Sequence, residues 1–200
     1  MSKIIQLFIV SLTLASPSSF AEGIIIYHPP TIDAPDSRVG AGTRGSTKSA
    51  PLIQVLAPSH TALTGQAQPI LYWYLLEDNQ NIIEITLTQE GAEEPVLEKQ
   101  LSAPVNKGLH KIRLADEGVS LRPNEEYLWS VAIVTDSQQR SNDIVAGATI
   151  RYRLPAAPLS SVEQQAAAGY WYDALQTLIE TQYSLVGRLL EQVDIQIPNE

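Results

Sequence analysis

The chain has 200 residues, with 13 Lys and Arg against 22 Asp and Glu, a net charge of −9 and no cysteine. That balance repels nucleic acid and anionic lipid, so neither is expected as a partner. Without cysteine there is no disulfide and no lipid-modified start, and stability must come from a hydrophobic core.

Residues 1–21 read as a signal peptide. Lys3 supplies the positive charge, Ile4 to Ala15 the apolar stretch, and Ser19 and Ala21 the small residues that a signal peptidase needs. The stretch is too short to anchor in a bilayer core of about 30 Å, and no later segment is long and apolar enough to span one. The expected mature protein is exported, periplasmic or extracellular, with no membrane insertion after cleavage.

Residues 22–51 form a leader rich in Pro, Gly, Ser and Thr. Within it Gly40-Ala41-Gly42-Thr43-Arg44-Gly45 matches G-x-G-x-x-G literally. That fingerprint binds dinucleotides only between a strand and a helix, and here coil precedes it and Ser-Thr-Lys-Ser-Ala-Pro follows. No cofactor is expected. The glycine amides beside Arg38 and Arg44 could still grip a carboxylate or phosphate, against the plainer reading of a structural turn.

Residues 52–155 are dense in strand signals. Leu52 to Ala57 opens the set, and Leu71-Tyr72-Trp73-Tyr74 is apolar on both faces, as a covered central strand would be. Ile83, Ile85 and Leu87 alternate with Glu84, Thr86 and Thr88, a strand wet on one side. Val96 to Leu101 reads as a charged edge strand. His110, Ile112 and Leu114 alternate next, then Tyr127 to Val134, then Ile150, Tyr152 and Leu154. The spacing Leu121-x-Pro123-x-x-x-Tyr127-x-Trp129 resembles the tyrosine corner of fibronectin type III and immunoglobulin-like domains. The expectation is an antiparallel β-sandwich of about seven strands, with Trp73 inside it opposite Tyr127 and Trp129.

Residues 156–200 switch to helix formers behind Pro155-Ala156-Ala157-Pro158. Ser160 and Glu163 have capping-box spacing. Trp171, Ala174, Leu175, Leu178, Ile179 and Tyr183 then recur at helical spacing, continued by Leu185, Leu189, Leu190 and Val193. Ala168 to Leu175 resembles the turn between paired helices of a tetratricopeptide repeat, but a single unit cannot build a solenoid. A helical hairpin docked on the sandwich is the expectation.

Catalytic and metal sites find little support. His28, His60 and His110 are scattered, without a second ligand at metal spacing. No Gly-x-Ser-x-Gly elbow occurs, and the carboxylates fall in turns as a solvated face. The loops at Asp78–Asn81 and Asp136–Asp143 match no calcium-binding spacing.

Taken together, four groups of residues carry a whole-chain resemblance. They are Tyr27-x-Pro29-Pro30 with Arg38 to Gly45, Pro69-x-x-x-Trp73-Tyr74, the Leu121 to Trp129 run, and Gly169-x-Trp171-Tyr172-Asp173-Ala174-Leu175. They resemble the bacterial family catalogued as domain of unknown function 928, common in cyanobacteria and some proteobacteria. The resemblance implies no activity; it implies an accessory role beside extracytoplasmic sensors. The expected function is a non-enzymatic protein-interaction module of the cell envelope, acting on an envelope protein. Its candidate patch is Arg38, Gly40, Gly42, Thr43, Arg44 and Gly45 with Trp171, Tyr172 and Asp173. A carbohydrate-binding module using exposed Trp and Tyr is the alternative. A hydrolase is a second one and would need a pocket with converging titratable groups.

Overall fold

Alternation of apolar and polar residues over 52–155 produces strands, and the computed structural model describes residues 24–31 and 52–198. The described residues form eight strands: β1 (Ile53–Val55), β2 (Ala62–Thr64), β3 (Ile70–Leu75), β4 (Ile82–Gln89), β5 (Leu97–Leu101), β6 (Gly108–Arg113), β7 (Glu126–Val134) and β8 (Ile144–Tyr152). They make a three-stranded sheet, β1-β3-β6, and a five-stranded sheet, β2-β8-β7-β4-β5. The fold is mainly β and sandwich-like, with a short helical segment at its C-terminal end.

Register places the apolar halves of the strands together. Ile83, Ile85 and Leu87 of β4 stand opposite Ile133, Val131 and Trp129 of β7, which in turn face Ile144, Ala146 and Ala148 of β8. In the smaller sheet Trp73 lies opposite Val55 and His110. All six residues of β3 are buried, as its two apolar faces predict, because the C-terminal helix Trp171–Thr181 also reaches this strand. The strand residues and the helices share one continuous hydrophobic cluster.

Two features depart from a purely antiparallel sandwich of seven strands. β2 is an eighth strand, three residues long and too short for alternation to reveal. It pairs in parallel with β8, Ala62 against Ile150 and Thr64 against Tyr152. The chain leaves β1 in one sheet and enters β2 in the other after six residues. Five strands then separate β2 from β8 in sequence, so this parallel pair has the long connection that such pairs require.

The Tyr127 hydroxyl accepts a hydrogen bond from the Arg122 amide at 3.0 Å, as the tyrosine-corner spacing predicts. Glu125 N–H donates to Arg122 C=O, closing a turn with Pro123 second and Asn124, at φ 65°, third. Proline fixes the second position, and asparagine tolerates the left-handed third.

The helical segment comprises α1 (Val162–Ala167), α2 (Trp171–Thr181) and α3 (Val186–Glu191), with a 3-10 turn at Tyr183–Leu185. The N-cap is Ser161, not Ser160: its hydroxyl accepts from Gln164 N–H, while the Gln164 side-chain oxygen Oε1 takes the Ser160 N–H. That one-residue shift points Val162 and Ala166 inward. The long helical pattern also breaks at Gln182, with φ −146°. Thr177 and Thr181 hydroxyls donate to the carbonyls of Asp173 and Thr177, a back-bonding that weakens a helix end.

Candidate functional site

The three consecutive residues Trp171, Tyr172 and Asp173 open α2, and each enters the sandwich. The Trp171 indole N–H donates to the Leu56 carbonyl, just past β1, at 2.9 Å. The Tyr172 hydroxyl accepts from the Trp129 indole at 2.9 Å and donates to the Thr149 carbonyl of β8 at 3.1 Å. Asp173 takes the Gly65 amide at 2.7 Å, the Gln66 side-chain amide at 2.9 Å and, more weakly, the Thr64 hydroxyl at 3.4 Å. As the third residue of the helix, its carboxylate also lies where the helix dipole favours a negative charge.

These contacts correct one expectation. Trp171, Tyr172 and Asp173 are 0%, 2% and 8% exposed, so they are not a surface patch and cannot stack on a sugar. The aromatic tips that looked available for recognition instead find their partners inside the same chain, the usual fate of buried Trp and Tyr polar atoms. Arg38, Gly40, Gly42, Thr43, Arg44 and Gly45 lie outside the described residues.

The N-terminal signature meets the C-terminal one. Tyr27 packs edge-on to Trp171, with ring centroids 4.9 Å apart, and its hydroxyl bonds His60 Nε2 at 2.9 Å. Residues 24–31 run as an extended strap: His28 N–H donates to Ala166 C=O, and Gln192 bonds both Tyr27 N–H and Ile25 C=O. Gly169 has φ +83°, and a Cβ there would lie 3.1 Å from Pro30 and 3.2 Å from the His28 carbonyl. Only glycine meets both conditions. The pairing of Tyr27 with His60 escaped the sequence reading because nothing local links residues 33 positions apart.

Burial sets the electrostatics of this junction. It raises the Tyr27 and Tyr172 hydroxyl pKa values and lowers that of His60. Asp173 is raised by desolvation, which its three hydrogen bonds oppose but do not overcome. Beneath the helices, burial pushes Tyr72 up to about 12, with Glu180 adding to the shift and Arg113 opposing it. Elsewhere Arg151 of β8 pairs with Glu126 of β7 at 2.8 Å, and the Thr61 hydroxyl donates to the other oxygen of that carboxylate. Arg140, in the β7–β8 connection, pairs with Asp143 of the same connection and with Glu84 of β4. Among the described residues no group of three or more His, Asp or Glu is placed to hold a metal ion, and no helix is long and apolar enough to cross a membrane.

The helical end leaves a concave surface open. A groove of about 470 Å3 runs between the Tyr183 turn with α3 and the tail Ile195–Pro198. Gly187 and Glu191 belong to one wall, and Ile195, Ile197 and Pro198 to the other. Sequence reading assigned these residues only to a continuing helical pattern; a glycine inside that pattern was the available signal.

The profile of Domain of Unknown Function (DUF928) matches residues 39–187. The chain belongs to this family. Its matched span contains both the Arg38-to-Gly45 region, from residue 39 on, and the Trp171-Tyr172-Asp173 plug. No curated protein matches the chain. Among solved structures it is similar to a crystal structure of an engineered protein determined at 1.98 Å, with TM-score 0.36 and 12% identity. That similarity covers 52% of this chain and 20% of the other, so the matched region is about a fifth of that protein's length.

Proposed function

We propose that this DUF928 chain is a non-enzymatic protein-interaction module of the cell envelope, an accessory to extracytoplasmic sensing. The observation that carries the reading is the open groove at the helical end. Its walls are held by the packed core through Ile195 and Leu190, so it is a preformed concavity on a rigid support. The envelope location rests on the signal-peptide pattern of residues 1–21. The glycine-arginine segment with Arg38 and Arg44 remains a second contact candidate on sequence grounds, through its glycines and its two cations. The sugar-binding alternative has lost Trp171 and Tyr172, the two aromatics it depended on.

In-cell photo-crosslinking tests this reading. Benzoylphenylalanine at Ser184, in the groove, should give a discrete protein adduct, while the same group at Lys111 on β6 should not. Identical adduct patterns from both positions, or none from Ser184, would count against a groove-centred interaction module.

A further inference from the structure

We propose that residues 24–31 are a pH-operated latch: Tyr27 fastens them to neutral His60, and a proton taken up by His60 releases them. The strap has few other fastenings. Tyr27 is its one buried side chain, 6% exposed, while Ile24 and Ile26 are 83% and 50% exposed. Around Tyr27 the backbone is held by Gln192, which bonds Tyr27 N–H and Ile25 C=O, and by Ala166 C=O, which accepts from His28 N–H. Gln192 is itself exposed, so water can replace its bonds at little cost. Docking therefore turns on Tyr27.

The tip of Tyr27 meets a group that titrates near neutral pH. Its hydroxyl lies 2.9 Å from His60 Nε2, and the two rings stack with centroids 5.7 Å apart and planes 15° apart. A neutral imidazole protonated on Nδ1 offers Nε2 as an acceptor to that hydroxyl. An imidazolium has two donors and no acceptor, so the Tyr27 O–H loses its partner and a charge enters a half-buried site. The stacked Tyr27 face attracts a cation and opposes this, but burial prevails and lowers the His60 pKa. The neighbouring elements supply no free anion to offset the charge. Glu126 of β7, bonded by the adjacent Thr61, already pairs with Arg151 of β8. On α2, burial keeps the Tyr172 hydroxyl neutral, and Asp173 is turned towards Thr64, Gly65 and Gln66. On the strap itself His28 is exposed.

The direction of the response follows from linkage. Docking favours neutral His60, so the latch is fully closed above the ordinary histidine range. It weakens as pH falls from that range towards the lowered docked value. Release uncovers the edge of Trp171 that Tyr27 covers. It leaves the joint between helices and sandwich intact, because the side-chain hydrogen bonds of Trp171, Tyr172 and Asp173 run to Leu56, Trp129, Thr149 and residues 64–66. Opening the latch is thus a change at the helical end and not unfolding.

The chain has no cysteine, so Ile24→Cys with Glu191→Cys places one spin label on the strap and one on α3 of the full chain. Dipolar broadening between the labels should be present at about pH 8 and fade towards about pH 4.5. The ratio of released to docked strap should rise by up to about tenfold per pH unit, the limit for one proton. Its midpoint should match that of the His60 ring-proton shift in NMR, and circular dichroism should stay constant across it. His60→Gln, which keeps an uncharged acceptor for Tyr27, should remain docked throughout, whereas His28→Gln should release as the parent does. Broadening that persists while His60 titrates, release retained in His60→Gln, release abolished in His28→Gln, or loss of the β-sheet signal at the same midpoint would overturn the proposal. Should His60→Gln fail to dock at about pH 8, the parent decides: release and His60 midpoints more than about one pH unit apart would overturn it, and coincident ones support it.

Discussion

Replacing Tyr172 with Phe removes one oxygen atom and leaves the ring that fills the junction. The lost hydroxyl accepts from the Trp129 indole N–H and donates to the Thr149 carbonyl. Trp129 is fully buried, so its N–H would have no replacement from water. A buried donor left unsatisfied costs about 1–3 kcal/mol, and the lost bond to the carbonyl adds about 0.5–1.5 kcal/mol. Tyr172→Phe should therefore cost about 2–4 kcal/mol, a large share of the roughly 5–15 kcal/mol that stabilises an ordinary domain. Urea unfolding followed by tryptophan fluorescence gives the change in midpoint. The slope should stay constant if the helical segment and the sandwich still unfold as one unit. Adding Trp129→Phe removes the orphaned donor, so the double variant should cost less than the sum of the single ones. A cost below about 0.5 kcal/mol for Tyr172→Phe would refute the interlock, because such a value is typical of substitutions at an exposed surface.

Three further outcomes follow from the same geometry. Gly169→Ala combines a left-handed φ with a clash against Pro30, and should cost about 2–4 kcal/mol and expose the strap to limited proteolysis; Gly118→Ala, with φ +67° and open space, should cost only about 1–2 kcal/mol. Burial raises the Asp173 pKa, so between the unfolded and folded values the native state holds more proton than the unfolded chain. Its contribution to stability rises as pH falls through the folded value toward the unfolded one, and Asp173→Asn should remove that slope from a stability–pH series. Tyr127→Phe deletes the acceptor for Arg122 N–H and should cost about 1–2 kcal/mol by chemical denaturation.

Much of the sandwich was legible because its strands alternate cleanly and β3 is apolar on both faces. The tyrosine-corner hydrogen bond was legible too, since its partners lie five residues apart. What the sequence could not convey was direction. Trp171, Tyr172 and Asp173 carry polar atoms that suit either a recognition surface or a buried joint, and spacing alone does not choose between them. The choice depends on Leu56, Gly65, Trp129 and Thr149, which arrive from four separate places in the chain. The groove was hidden for a related reason. It exists because the helix breaks at Gln182 and the tail folds back along α3, and neither event has a strong local signature beyond Gly187.

The central structural claim is that the Trp-Tyr-Asp signature joins the helices to the sandwich instead of facing a partner. Hydrogen exchange of the tryptophan indole N–H groups, followed by NMR, tests it most directly. Both Trp171, bonded to the Leu56 carbonyl, and Trp129, bonded to Tyr172, should exchange as slowly as the central amides of β7, through global unfolding alone. Rapid exchange of the Trp171 indole while Trp129 and β7 stay protected would contradict the account and return the signature to the surface.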